Sequence, residues 1–148
     1  MTFRKIKNKF KHHFHEVIRV KKSPHSIALG FSIGTLIAIL PTFGLGALIG
    51  IIVILIFEKV NKFSLFIAFA VWNMLTLMPI YLLSYKIGEI LFGTIPVYKF
   101  KIVLLNQAYN FTRRFLVGNF ILAIVISVLS YFFVKKLAQV YQKKHLKI

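Results

Sequence analysis

Apolar and polar positions alternate in blocks along this chain, and the blocks predict helices. Residues 1–22, MTFRKIKNKFKHHFHEVIRVKK, place Phe3, Ile6, Phe10, Phe14, Val17 and Ile18 at helical spacing. Eight Lys/Arg and three His fill most of the remaining positions. That pattern predicts a basic amphipathic helix lying in a headgroup region. Ser23-Pro24 then signals a new helix, with Ser as N-cap and Pro at the first position, where no N–H is needed. From Ser26 to Phe57 no residue is charged. A straight helix of that length would run about 48 Å, well beyond the ~30 Å hydrocarbon core of a bilayer. Pro41, followed by Gly44 and Gly46, therefore marks either a strong kink or the turn of a hairpin of two half-helices.

After the connector Glu58-Lys59-Val60-Asn61-Lys62, a second apolar run extends from Phe63 to Tyr85 and contains Pro79. Residues 94–114 are mixed and read as a loop or interfacial segment. Residues 115–134 read as a transmembrane helix bounded by Arg113-Arg114 and Lys135-Lys136, and 135–148 as a basic tail. The expected fold is an all-α integral membrane protein. It comprises an interfacial helix at 1–22, a membrane core at 23–93 with two proline-interrupted segments, and one C-terminal transmembrane helix. Aligning 24–50 with 62–88 superposes Ser26 on Ser64, Phe31 on Phe69, Pro41 on Pro79 and Gly50 on Gly88. This register predicts a pseudo-repeat whose interrupted segments meet at a binding site. Two unrelated proline-kinked helices are the competing reading.

Composition sharpens the membrane reading. Of 148 residues, 58% are hydrophobic and only 16% charged, with sixteen Phe and six Tyr. A globule this small could not hide such surface from water. Twenty Lys+Arg face three acids, a formal net charge of +17. The basic residues flank apolar runs and carry no nucleic-acid motif, so their expected partner is anionic lipid. Arg4, Lys5, Lys7, Lys9, Lys11, Arg19, Lys21 and Lys22 are the expected lipid contacts. By the positive-inside rule the N-terminus is cytoplasmic. The basic tail prefers the same side, which requires an even number of crossings and is met if one broken segment is re-entrant. The basic head is too long for a signal peptide, and no cleavage site follows it, so the first apolar segment is expected to be retained.

The chemistry available is narrow. There is no cysteine, which excludes disulfides and thiolate metal sites. The His12-His13-x-His15-Glu16 cluster has no second ligand group, so no metal is expected. Gly30–Gly34 fits G-x-S-x-G but lies inside an apolar helix, not at a strand-to-helix turn. Glu58 with Lys62, and Lys86 with Glu89, are spaced as helical ion pairs. No catalytic constellation and no cofactor are expected.

In order, Ser23-Pro24-His25, Gly30/Gly34, Pro41-Thr42-x-Gly44 and Ser84-Tyr85-x-x-Gly88 resemble the bacterial domain of unknown function 2062 family over residues 23–93. The resemblance implies a helical protein of the bacterial inner membrane and implies no activity. Some relatives join this domain to a glycosyltransferase of the lipid-carrier type. The family pattern has Asn-Pro-x-Thr in the second run. Met74 replaces that proline here, so the break at Asn73 is expected to be softened.

Two functions follow. The first is a transporter or lipid-handling protein holding a phosphate-bearing or lipid-linked substrate at the paired breaks. Pro41, Thr42, Gly44, Gly46, Asn73 and Thr76 would form that site, and His25, Lys86 and Glu89 would complete it. The second is a non-catalytic membrane anchor or assembly factor for an envelope enzyme. An enzyme is the third reading. From size alone, a homo-oligomer is expected to enclose the site.

Overall fold

The computed structural model describes residues 3–19 and 23–146, with no side-chain description for Phe10, residues 13–19 or residues 145–146. Among the described residues six helices follow one another: α1 (Phe3–Arg19), α2 (Pro24–Ile39), α3 (Gly46–Ile56), α4 (Lys62–Val71), α5 (Met74–Phe92) and α6 (Val103–Leu146). No strand occurs among the described residues.

Local chemistry explains most helix ends. Ser23 Oγ accepts from the Ser26 N–H at 3.2 Å, with Pro24 in the first turn, so α2 begins where its cap dictates. It stops at Ile39 because Pro41 cannot donate to the next carbonyl. The chain reverses through Phe43 (φ 51°) and Gly44 (φ 89°), both left-handed. Glycine adopts this freely, whereas Phe43, 94% exposed at the tip, does so at a cost. α3 then runs back beside α2. Its return is closed by Ser26, whose hydroxyl donates to the Lys59 carbonyl at 2.5 Å and whose carbonyl accepts from the Asn61 N–H at 3.3 Å. α2 and α3 thus form a helical hairpin that ends at the level where it began.

Asn61 starts α4 by accepting from the Phe63 and Ser64 N–H groups. α4 lies parallel to α2, and the two approach closely at the glycines. A Cβ on Gly30 would strike the Asn61 backbone, and one on Gly34 would lie 2.6 Å from the Leu65 carbonyl. Farther along, Trp72 Nε1 donates to Thr35 Oγ1 at 3.0 Å. Trp72 is the only tryptophan. Thr35→Val should therefore shift its fluorescence and cost about 1 kcal/mol, the net worth of one hydrogen bond. An unchanged emission spectrum would refute that bond.

α6 is the spine. At 44 residues it is about 66 Å long. α2 runs antiparallel to it through His25 and Tyr131 (2.6 Å), the reciprocal Ser32 and Ser127 hydroxyls (2.8 Å), and Asn119 Nδ2 donating to the Ile39 carbonyl (3.1 Å). α5 packs antiparallel beyond the end of α2. There a Cβ on Gly88 would collide with the Arg114 backbone, and one on Gly118 with the Ser84 carbonyl. Small residues spaced four apart let these two backbones touch.

Three expectations need correction. The second apolar run breaks at Trp72-Asn73, not at Pro79, which sits inside α5. Asn73 Oδ1 caps the Leu75 and Thr76 N–H groups and starts a helix that continues through Pro79. The two prolines are therefore not equivalent breaks, and Met74 in place of proline does not soften the interruption. Residues 103–114 are helical rather than loop, and helix continues through 135–146. Asn106 and Asn110 bind the preceding segment from the side, so the chain turns into α6 twelve residues earlier than its hydropathy suggested. Finally, no ion pair joins Glu58 to Lys62 or Lys86 to Glu89 among the described residues.

The burial pattern is inverted relative to a water-soluble bundle. Four of the six largest fully buried side chains are polar: Asn61, Asn119, Thr35 and Ser84. The exposed face of α6 carries Phe111, Phe120, Ile124, Leu129, Phe132 and Phe133.

Candidate functional site

The residues expected to bind substrate are spread over the molecule. Pro41, Thr42, Gly44 and Gly46 form the tip of the α2–α3 hairpin, where Thr42 N–H donates to the Leu40 carbonyl and Leu45 N–H to the Thr42 carbonyl. α3 opens without a side-chain cap. Asn73 and Thr76 are occupied locally. Asn73 Oδ1 caps α5, and Thr76 Oγ1 donates to the Val71 and Asn73 carbonyls at 2.9 and 3.0 Å. No hydrogen bond joins these two groups among the described residues. His25 stands at the opposite end of α2, bonded to Tyr131. Lys86 and Glu89 lie on the far half of α5, exposed and half-buried respectively. Of the expected lipid contacts, Arg4, Lys5, Lys7, Lys9 and Lys11 are exposed on α1. The Arg19 side chain, Lys21 and Lys22 lie outside the described residues.

A different constellation emerges where α5, α6 and the segment 93–102 meet. Here α6 presents Asn106, Asn110 and Arg114, one turn apart on its buried face. The two asparagines act as clamps. Asn110 Nδ2 donates to the Val97 carbonyl and Oδ1 accepts from the Val97 N–H, both at 3.0 Å. Asn106 Oδ1 accepts from the Lys99 and Phe100 N–H groups, and its Nδ2 donates to the Phe100 carbonyl at 2.8 Å. Together they satisfy the backbone of an irregular strap that would otherwise compete for water.

Beneath the strap is a cavity of about 390 Å³, lined by Tyr85, Pro96, Tyr98, Asn106, Asn110, Phe111 and Arg114 among others. Arg114 is 7% exposed. Its Nη1 donates to the Tyr85 hydroxyl at 3.3 Å, while Nε and Nη2 are buried with no acceptor. Glu58 and Glu89 form no ion pair with it. A buried guanidinium with one long neutral hydrogen bond is an expensive group. Around it Tyr85 stacks on Phe111 (centroids 5.3 Å apart). Arg113 lies over the Phe92 ring at 4.5 Å, and Lys99 over Tyr109 at 4.9 Å. The clamped asparagine amides are already spent, so Arg114 Nε and Nη2 are the buried donors left over in the cavity lining. The arrangement offers positive charge and N–H donors to an acceptor-rich group. Among the described residues no cluster of three His, Cys, Asp or Glu side chains could hold a metal ion.

This site was missed in the sequence because Arg113-Arg114 looked like the border of a membrane helix. Asn106, Asn110 and Arg114 at intervals of four are a visible helical stripe once 103–114 is read as helix.

The fold and site define an all-helical protein of which two helices, α5 and α6, are long and apolar enough to cross a membrane. The chain belongs to the family of uncharacterised proteins conserved in bacteria designated DUF2062, whose model matches residues 7–147. No curated protein and no solved structure matches it. The motif residues that carried the resemblance now have structural duties. Ser23-Pro24 starts α2, Gly30 and Gly34 admit the α4 backbone, Pro41–Gly44 turns the hairpin, and Ser84 and Gly88 admit α6.

Proposed function

We propose that this is an integral membrane protein that holds an anionic, phosphate-bearing or lipid-linked ligand at the Arg114 cavity, as a lipid-handling protein or transporter does. The observation that carries the reading is the buried guanidinium beside an open cavity, with two nitrogens that find no acceptor and no ion pair among the described residues. Ionisable groups inside membrane proteins face partners or substrate pathways, and a bare one is a functional site by default. The inverted burial pattern supports the membrane setting, since lipid solvates exposed Phe and Ile while the buried Ser64, Ser84 and Ser127 hydroxyls find partners within the bundle. The closed α2–α3 hairpin supports a re-entrant segment, which leaves one crossing through α4–α5 and one through α6. Both termini then share a face, in keeping with two basic ends. The setting is the bacterial inner membrane.

The test is thermal unfolding of the purified chain in phosphatidylcholine nanodiscs with and without added phosphatidic acid. Binding to the folded state alone stabilises by about 2.7 kcal/mol at a hundredfold excess over Kd. That gain should vanish in Arg114→Gln. Equal stabilisation of both proteins would remove Arg114 from the site, and no stabilisation of either would refute the reading. The anchor alternative rests on the exposed cations of α1. It requires charge reversal at Lys5, Lys7 and Lys9 to abolish function in cells while Arg114→Gln leaves it intact.

A further inference from the structure

We infer that the Arg114 cavity admits its phosphate-bearing ligand from the membrane face opposite the basic N-terminal head; this rests on the ligand reading above and adds the side of access. The antiparallel pairing sets the geometry. His25, just after the head, meets Tyr131, next to Lys135, whereas Ile39 at the far end of α2 meets Asn119. Arg114 lies five residues beyond Asn119, about 7.5 Å farther from the head along α6. From Tyr131 to Arg114 the helix advances 17 residues, about 25 Å, close to one hydrocarbon thickness. Cavity and head therefore sit at opposite ends of the same crossing.

Charge makes this placement informative. Positive residues are disfavoured in short segments on the face away from the cytoplasm. Yet the cavity end gathers Lys99, Lys101, Arg113 and Arg114, with Glu89 the one acid between residues 63 and 114. Topology would be better served without them, so their retention at that end needs another cause. A phosphate group arriving there supplies it, because a guanidinium matches two phosphate oxygens at once. The strap carries Pro96 and Tyr98 over the cavity and is exposed on its outer side. Entry from beyond the membrane core therefore crosses a clamped loop instead of a packed helix. The same chemistry fits a lipid headgroup in that leaflet or a soluble phosphate.

The natural absence of cysteine makes the test direct. Lys101→Cys and Lys9→Cys would be expressed separately in a bacterium and treated with a membrane-impermeant maleimide. Lys101→Cys should label in intact cells, and Lys9→Cys only after permeabilisation. If both label together, whether before or after permeabilisation, the inference of opposite faces is overturned. If only Lys9→Cys labels in intact cells, the cavity end is the cytoplasmic one and the charge argument for ligand entry there is overturned.

Occupancy is read separately with Tyr98→Cys, in nanodiscs, against inorganic phosphate or phosphatidic acid. At roughly ten times Kd, labelling should slow about tenfold. Slowing by phosphate identifies a soluble source, and slowing by phosphatidic acid alone identifies a lipid. Slowing by neither overturns the ligand reading itself, whatever the side. The same measurement with Arg114→Lys guards against a folding defect, since the charge is kept while two-point contact is lost. Protection there should be weakened and not abolished.

Discussion

Gly118→Ala is expected to separate α5 from α6 and to cost about 3 kcal/mol of stability, the upper end for overpacking a tight contact. The new methyl group would occupy the position of the Ser84 carbonyl, with the Ser84 carbonyl carbon 2.8 Å away and the Gly88 nitrogen 3.0 Å away. These are backbone atoms on a helix and cannot swing aside as the end of a side chain can. Relief requires the two helices to move apart, which undoes the stacking of Tyr85 on Phe111 and the Asn119–Ser84 bond together. Thermal unfolding followed by circular dichroism in one detergent is the measurement, with Gly46→Ala as the comparison. There the closest atom is the Thr42 hydroxyl at 3.1 Å, a side-chain end that can yield. Equal stability of the two variants would mean that the α5–α6 contact is looser than described.

The second large effect has the opposite sign. Arg114→Met should stabilise the ligand-free protein, by about 2 kcal/mol, while removing its response to phosphatidic acid. Three considerations set the direction. The guanidinium is 7% exposed, lacks acceptors at two nitrogens and forms no ion pair with Glu58 or Glu89. Breaking a buried charge pair costs about 3–5 kcal/mol because it strands one charge, and the native protein already carries a stranded charge here. Methionine keeps much of the volume of the arginine stem and brings no unmet donor. The expected gain is less than the full penalty because the Tyr85 hydroxyl loses its donor. A stability–function conflict at one residue is what a binding site produces and a structural arginine does not. If Arg114→Met is instead destabilised as strongly as Gly118→Ala, the guanidinium is serving the fold and the cavity has no claim on it.

Which parts of this were legible in the chain depended on whether a neighbour was needed to read them. The Ser23-Pro24 cap acts within one turn, so α2 could be started correctly from the sequence. The break after Ile39 was legible because proline removes a hydrogen bond wherever it occurs. Pro79 misled for a related reason. Its missing N–H is a local fact, but whether a helix tolerates it depends on what starts the helix, and Asn73 does so six residues earlier. The start of α6 was hidden altogether. Lys99, Lys101, Arg113 and Arg114 make 94–114 look like a loop or interfacial segment, because a hydropathy average does not register that Asn106 and Asn110 spend their amides on the strap backbone.

The sequence by itself determined the helical class, the family, the apolar runs suited to a membrane, the basic ends and the interruption at Pro41. Each of these follows from short-range spacing or from summed transfer energies, which need no partner. Tertiary structure alone decided that α2 and α3 close into a hairpin through Ser26, and that α5 and α6 touch at Gly88 and Gly118. It alone decided that Arg114 stands buried beside a cavity with two of its three guanidinium nitrogens unpartnered among the described residues. Those outcomes depend on which atoms of distant segments meet. A charge becomes costly, and so informative, only when the fold has taken away its water.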